Sequence, residues 1–507
     1  MKAKWFAYLL ILLVCAQYFG CSNDGSTSSG QVDEDIFEDD DGIAVDDDAG
    51  SNDAMSVPGN WHAPPPSNKV GVFVSAFFGS DTYPGTMDAP KATISAGMDL
   101  AEETGKVVFV GRGVYTECVA GSASLFGGYR ETDWSRNAQV YETKISAPPF
   151  QRTLLNGGTE QTPQVMEGFT VVGGKIVSIG FYTTHIAPGV EVTGGNNILA
   201  HNDITGGRVI VYGTIYELMS AGVYVNHAIT TRLHDNVIRS GKVSTNERAD
   251  LAGVDISTGG RAVLERNDIS VPSFIMGKNT GVNASAVNVH SGRVLLAGNN
   301  VRVEIGYPAP ISAAVEVGSY GEVVAVNNVL TDNSYYSSYA VDNWGSVTLI
   351  GNTLFSHAYY SYGVYSYSDA TIVNNVIVAG PSANAAAVRI GGEADITQVA
   401  NDLYLRGLET RLVTQFGGVI VTNLEELNAC SWEHCYEAEL NIVDKPERVG
   451  PYDPHLTEIS PCIDAGVDPH AWYDGAAVEI DYDGDPHPLG DGWDIGADEF
   501  TALLSAF

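Results

Sequence analysis

The stretch VDISTGGRAVLERNDI, residues 254 to 269, contains one unit of a repeat. Val254-Asp255-Ile256 alternates aliphatic and polar side chains, the period of a strand with one face buried. Thr258-Gly259-Gly260 is a small-residue turn, and Arg261-Ala262-Val263-Leu264 is a second β-type run. The unit closes on Asn267-Asp268-Ile269, a polar pair followed by an aliphatic residue. That pair recurs at Asn202-Asp203-Ile204, Asp235-Asn236-Val237, Asn299-Asn300-Val301, Asn327-Asn328-Val329, Asn352-Thr353-Leu354, Asn374-Asn375-Val376 and Asn401-Asp402-Leu403. By subtraction the steps are 33, 32, 32, 28, 25, 22 and 27 residues, a period that marks a solenoid.

The opening tripeptide recurs in phase: Val190-Glu191-Val192, Val223-Tyr224-Val225, Val287-Asn288-Val289, Val315-Glu316-Val317, Val341-Asp342-Asn343, Val364-Tyr365-Ser366 and Val388-Arg389-Ile390, each after Gly or Ala. A third short strand follows each polar pair. Three strands per unit, without helical spacing or hairpin signals, predict an all-β, right-handed parallel β-helix with three strands per coil. Equivalent residues then stack one strand spacing apart, ~4.8 Å. Asn tolerates left-handed backbone, bonds local backbone at turns and passes amide bonds along a stack, so the pairs read as structural. Val329 and Val376, which follow two of them, are expected to point inward.

An open solenoid needs covered ends. Asp88-Ala89-Pro90 precedes a segment whose Ile94, Gly97, Met98 and Ala101 fall on one helical face, the expected N-terminal capping helix. Before it, Lys2 and Lys4 followed by the apolar run Trp5 to Val14 have the pattern of a secretory signal, too short to span a bilayer. From Ser22 to Asn60 there is no Lys or Arg while acidic residues crowd together, the composition of a disordered tether. The expected organisation is 1–20 signal peptide, 21–68 acidic linker, 69–150 N-terminal cap and first coils, 151–425 β-helix coils and 426–507 C-terminal cap.

The net charge of -36 argues against nucleic acid, whose affinity comes from Lys and Arg on phosphates, and against anionic lipid. With Cys15 in the signal and Cys21 at its end, Cys118, Cys430, Cys435 and Cys462 remain for one or two disulfides. No CxxC spacing supports a zinc site. Asp481, Asp483 and Asp485 around Gly484 are candidate calcium ligands, although the spacing is not that of an EF-hand.

GSDTYPGT, APKATISAGMDLA, VVFVGRGVYTE and SLFGGYRETDWSR, between Val74 and Arg136, resemble the opening of bacterial extracellular proteins of the pectate-lyase-like β-helix superfamily that carry a short cap domain of unknown function. SPCIDAG at Ser460–Gly466 and DYDGDPHPLGDGWDIGADEF at Asp481–Phe500 are similar to the ending of many such surface-anchored proteins. Gly20-Cys21 likewise resembles the end of a bacterial lipobox, with Tyr18 and Phe19 departing from its usual residues; this implies lipidation of Cys21, with ordinary secretion as the alternative. Members of the superfamily include lyases, hydrolases and adhesins, so the resemblance implies the architecture and not the chemistry.

The outward column of the first strands reads Glu191, Tyr224, Asp255, Asn288, Glu316, Asp342, Tyr365, Arg389. Two residues on, a second column reads Thr193, Asn226, Ser257, His290, Gly318, Trp344, Tyr367, Gly391. The segments Val271–Asn283 and Thr331–Ser338 are expected to rise as loops beside this face. Aromatic faces with polar tips suit sugars, so the expected ligand-binding set is Asp255, Asn288, His290, Glu316, Asp342, Trp344, Tyr365 and Tyr367. Stacked carboxylates also raise one pKa, as an acid catalyst needs, making Asp255, Glu316, Asp342 and His290 the catalytic candidates of a glycosidase or lyase. A lyase needs a cation for the substrate carboxylate and a base, yet Val303 to Val388 holds no Lys or Arg; calcium on the acidic column would have to replace the first. The NTD, GHG and RIK signatures of the related polygalacturonases are missing. The sequence thus predicts an exported, lipid-anchored, monomeric β-helix that binds an extended glycan or another envelope component, with calcium as its candidate cofactor. An enzyme on the same residues and a spacer or adhesin without a small ligand are its alternatives.

Overall fold

The structure, a computed structural model, describes residues 63–178, 184–211, 217–244, 249–272, 282–306, 311–407, 411–415 and 418–501. The signal at 1–20, Cys21, the acidic segment to residue 62 and residues 273–281 lie outside the described residues.

The helix α1 (Ile94–Thr104) covers the first coils, with Thr93 as its N-cap and Gly105, at φ 66°, as its C-cap. Its buried face is Ile94, Gly97, Met98 and Ala101, the face that the spacing predicts. A Cβ on Gly97 would come within 2.5 Å of Val74 Cγ2, so only glycine lets the helix sit this close to the strand Gly71–Val74.

Beyond α1 the chain is a parallel β-helix. Val223, Val254, Val287, Val315, Val341, Val364 and Val388 pair in sequence across neighbouring first strands. Second strands stack likewise, for example Thr230–His234 on Arg261–Glu265. Third strands follow, as in Asp268–Val271 on Asn300–Val303. Val254, Leu264 and Ile269 point into one continuous apolar core, and each such side chain contributes about 1.5–3 kcal/mol by leaving water. Some coils of the longer repeats carry a fourth short strand, in Ile176–Ser178, Arg208–Val211 and Lys242–Ser244. At the far end Val413–Gln415 pairs with Gly418–Val421, the only antiparallel strand pair among the described residues. Leu427 and Trp432 then close the core, beside the Cys430–Cys435 disulfide. Cys462 is a buried free thiol, so no bridge uses it.

The polar pairs divide into two roles. One asparagine of each pair joins a buried amide ladder: Asn202 Nδ2 donates to Asn236 Oδ1, and so on through Asn267, Asn299, Asn328, Asn352, Asn375 and Asn401 to Asn441, at 2.9–3.1 Å. Each amide also donates to a carbonyl of the coil behind, as Asn299 does to Leu264 at 2.7 Å. The residue just before each ladder asparagine takes the left-handed conformation, from His201 at φ 52° to Asn374 at φ 56°. Tolerance of that conformation therefore matters at the neighbouring position and not in the ladder.

Val329 and Val376 are buried but do not point inward. They pack outward, with Phe355 and Val378, against Leu456, Cys462, Ile495 and Ala497 of the C-terminal segment, while Leu330 and Ile377 face the core. The C-terminal segment thus forms a strap over the third-strand sheet. Asn374 exchanges hydrogen bonds with Val467 and accepts from Gly496 N–H at 2.8 Å; Asn327 Nδ2 donates to the Ile480 carbonyl. The two end motifs also lock onto each other. Asp494 accepts from the N–H groups of Asp464 and Phe500, and Asp464 accepts from those of Asp491 and Gly492.

Candidate functional site

Strand pairing places Tyr224, Asp255, Asn288, Glu316, Asp342, Tyr365 and Arg389 in one register-aligned row. The row is less open than alternation suggests: Asp255 is 0% exposed, and Asp342 and Tyr365 are buried too. On most coils the chain just before the first strand continues as strand, as in Ala249–Thr258 and Ser337–Asn343, and side chains of these extensions reach the row. Thr331–Ser338 is accordingly not a loop. The strands Val329–Ser334 and Ser337–Asn343 leave only Tyr335 and Tyr336 to turn between them. Ser285, on one such extension, donates to Glu316. Tyr339 and Tyr362, on two others, form an apolar cluster with Tyr365.

The second column is in step only in part, because the pairing shifts between Val225 and Asn226 and between Val289 and Ser291. Near its start a polar cluster forms. Asn288 Nδ2 donates to Asp255 Oδ2 at 3.0 Å, and His290 Nε2 lies 3.2 Å from the same oxygen. The other oxygen, Asp255 Oδ1, is buried without a hydrogen bond among the described residues. The hydrogen bond to Asp255, with the charges of Asp255, Glu316 and Asp250, holds the His290 imidazole above its ordinary range. Glu316 is the direct register partner of Asp342 on the neighbouring coil. Burial first, and Glu316 second, push Asp342 up to about 7 against a smaller opposing effect of Trp344, and Asp342 Oδ1 likewise has no hydrogen-bond partner among the described residues.

The aromatic part is built by stacking between coils. Trp344 lies flat on Tyr367, with ring centroids 3.7 Å apart and planes 13° apart. Tyr367 in turn contacts Tyr365 at 4.7 Å, and the Arg389 guanidinium sits over Tyr362 and Tyr365 at 4.8 and 5.1 Å. Gly391 closes the far side of Tyr367, where a Cβ would meet the ring at 2.5 Å. On the opposite side of Trp344 the neighbouring coil presents Gly318, which has no side chain to lay on the indole, and Trp344 stays 43% exposed. Beyond Arg389 lies a cavity of about 270 Å³ lined by Tyr360, Tyr362, Asn384, Arg389, Arg411 and Gln415.

Asp481, Asp483 and Asp485 do not converge on a common point. Asp481 is consumed as a turn former, its Oδ1 accepting from the N–H groups of Asp483 and Asp485 at 3.0 and 2.8 Å and its Oδ2 from Glu499. Asp483 instead meets His455 and Asp498. Sequence reasoning missed His455 and Asp498 because they lie outside the repeat, and Ser285 because it precedes the Val-x-Val pattern that marks the first strands, although it sits one coil from Glu316.

No protein-family model matches the chain, and no curated protein matches it. Among solved structures it is similar to the pectate lyase Pel9A, at 12% identity and a TM-score of 0.44, over 86% of this chain and 97% of that one. It is also similar to XylC, solved in complex with xylose, at 10% identity and a TM-score of 0.38, over 85% of this chain and 98% of that one. The assignment as a parallel β-helix rests on the chain's own strand pairing.

Proposed function

We propose that the chain binds an extended glycan along the first-strand face, with the open face of Trp344 as the central sugar platform. The observation that carries this reading is the interrupted stack: Tyr367 covers one face of the indole, and the next coil offers only Gly318 on the other. Across that gap stands His290, two coils from Trp344 and so about 10 Å away by strand spacing, room for one sugar ring. Glu316 and Asp342 line its floor as hydrogen-bond partners for hydroxyls, while the indole meets the apolar C–H face. Arg389 and its cavity extend the row toward a further, polar subsite. The protein is exported and held to its envelope through lipid on Cys21; incorporation of labelled palmitate, absent in Cys21→Ala, tests that part.

A glycan array tests the binding. Retained glycans that are lost in Trp344→Ala and kept in Tyr436→Ala, an exposed tyrosine on the last coil, support the reading. No retained glycan, or equal retention by both variants, overturns it.

A second reading is favoured by one observation, the pairing of Asp342 with Glu316 on neighbouring coils, where burial and the Glu316 charge push the Asp342 carboxyl up to about 7. Such a pair suits a general acid and its partner in glycoside cleavage. Release of reducing ends or unsaturated products, abolished in Asp342→Asn, would establish an enzyme over a binding protein.

A further inference from the structure

We propose that His455, Asp483 and Asp498 bind a divalent transition-metal ion of the Zn2+ or Mn2+ type, which ties separate passes of the C-terminal strap together. One ligand atom from each lies within 4.8 Å of the others. His455 Nε2 is 2.9 Å from Asp483 Oδ2 and 4.0 Å from Asp498 Oδ1. Ligands bonded to zinc at about 2.0–2.2 Å lie roughly 3–4 Å from each other, so small side-chain movements would place an ion between all three.

Two independent features point to an ion and not to a chance acidic cluster. Asp498 is only 5% exposed and makes no hydrogen bond among the described residues, although its oxygen is aimed at the imidazole. A buried carboxylate in that state is costly unless a cation meets it. On the other edge of the ring His455 Nδ1 faces Asp453 Oδ1, so Nδ1–H can stay bonded to that carboxylate while an ion displaces the proton that Nε2 shares with Asp483 Oδ2. A carboxylate behind a histidine is the arrangement that orients metal-binding imidazoles. Asp481 is a positioning residue, since its carboxylate fixes the backbone N–H groups of Asp483 and Glu499 on either side. One imidazole with two carboxylates suits zinc or manganese better than calcium, which prefers an all-oxygen shell.

The test uses the full-length protein, stripped with EDTA, dialysed and titrated with Zn2+, Mn2+ and Ca2+, with retained metal measured by mass spectrometry. One Zn2+ or Mn2+ per chain is expected, with a rise in Tm. His455→Ala and Asp498→Asn should weaken retention at least about 10-fold, and Asp453→Asn by about 10–100-fold. Asp483→Asn alters an exposed side chain and keeps the fold, so it reports binding alone if the buried variants misfold; it too should bind about 10-fold more weakly. Absence of retained Zn2+ and Mn2+, retention of Ca2+ alone, or retention undiminished in Asp483→Asn and His455→Ala, as for ions held on the acidic N-terminal segment, overturns the proposal.

Discussion

Asp255 and His290 lie on neighbouring coils with Asp255 Oδ2 3.2 Å from His290 Nε2, so a fully buried carboxylate is served by a half-exposed imidazole. The pair favours the imidazolium, and the stability it contributes is fully present below the ordinary imidazole pKa of about 6.5. It is lost as pH rises through the raised value of the folded protein. In Asp255→Asn the His290 midpoint should fall toward the ordinary value, read by NMR titration of the ring nitrogens; an unchanged midpoint would show that Asp255 is not its cause.

Asp342 has a linkage of the same sign, set in a lower pH window by the lower unfolded pKa of a carboxyl. Its folded pKa of about 7 lies above its unfolded value, so the folded state holds the extra proton between about pH 4 and 7, and stability from this group falls as pH rises through that window. Asp342→Asn removes the dependence. Relative to the native chain it should gain on the order of 2–4 kcal/mol between pH 4 and pH 8, measured by urea unfolding at both values. A constant difference would refute the assignment.

Within the ladder, Asn299→Ala strips Asn267 and Leu264 of partners in the dry interior. It should cost about 2–4 kcal/mol. Asn300→Ala, next door and partly exposed, should stay within about 0.5 kcal/mol. Equal costs in denaturant melts would mean that the ladder carries no special weight.

Asn374→Ala removes the side chain that exchanges bonds with Val467, and Val376→Asp puts a charge beneath the strap. Both should speed protease cleavage within residues 440–500 while leaving the β-helix resistant. Cleavage first within the coils would instead place Val376 in the solenoid core.

Much of the fold was legible because a solenoid repeats its instructions. Each coil restates the alternation of Val254-Asp255-Ile256, so register followed from counting, and the helical face of α1 followed from its spacing. The paired asparagines were legible as structure but not in their division of labour, since Asn327 and Asn328 look alike until the strap is in place. Val376 failed for the same reason: an aliphatic residue on a third strand is apolar whether the core or the strap covers it.

The sequence by itself determined the local and periodic part of this protein, the coils, their phase and the row from Tyr224 to Arg389, because neighbouring coils are related by a short, repeated offset along the chain. Tertiary structure alone decided which face of that row is covered, where the aromatic stack breaks at Gly318, and that His455 meets Asp483 and Asp498. Those contacts join residues with no fixed spacing. They exist only once the coils have stacked and the C-terminal strap runs along the third-strand sheet, burying apolar surface that the coils would otherwise leave in water.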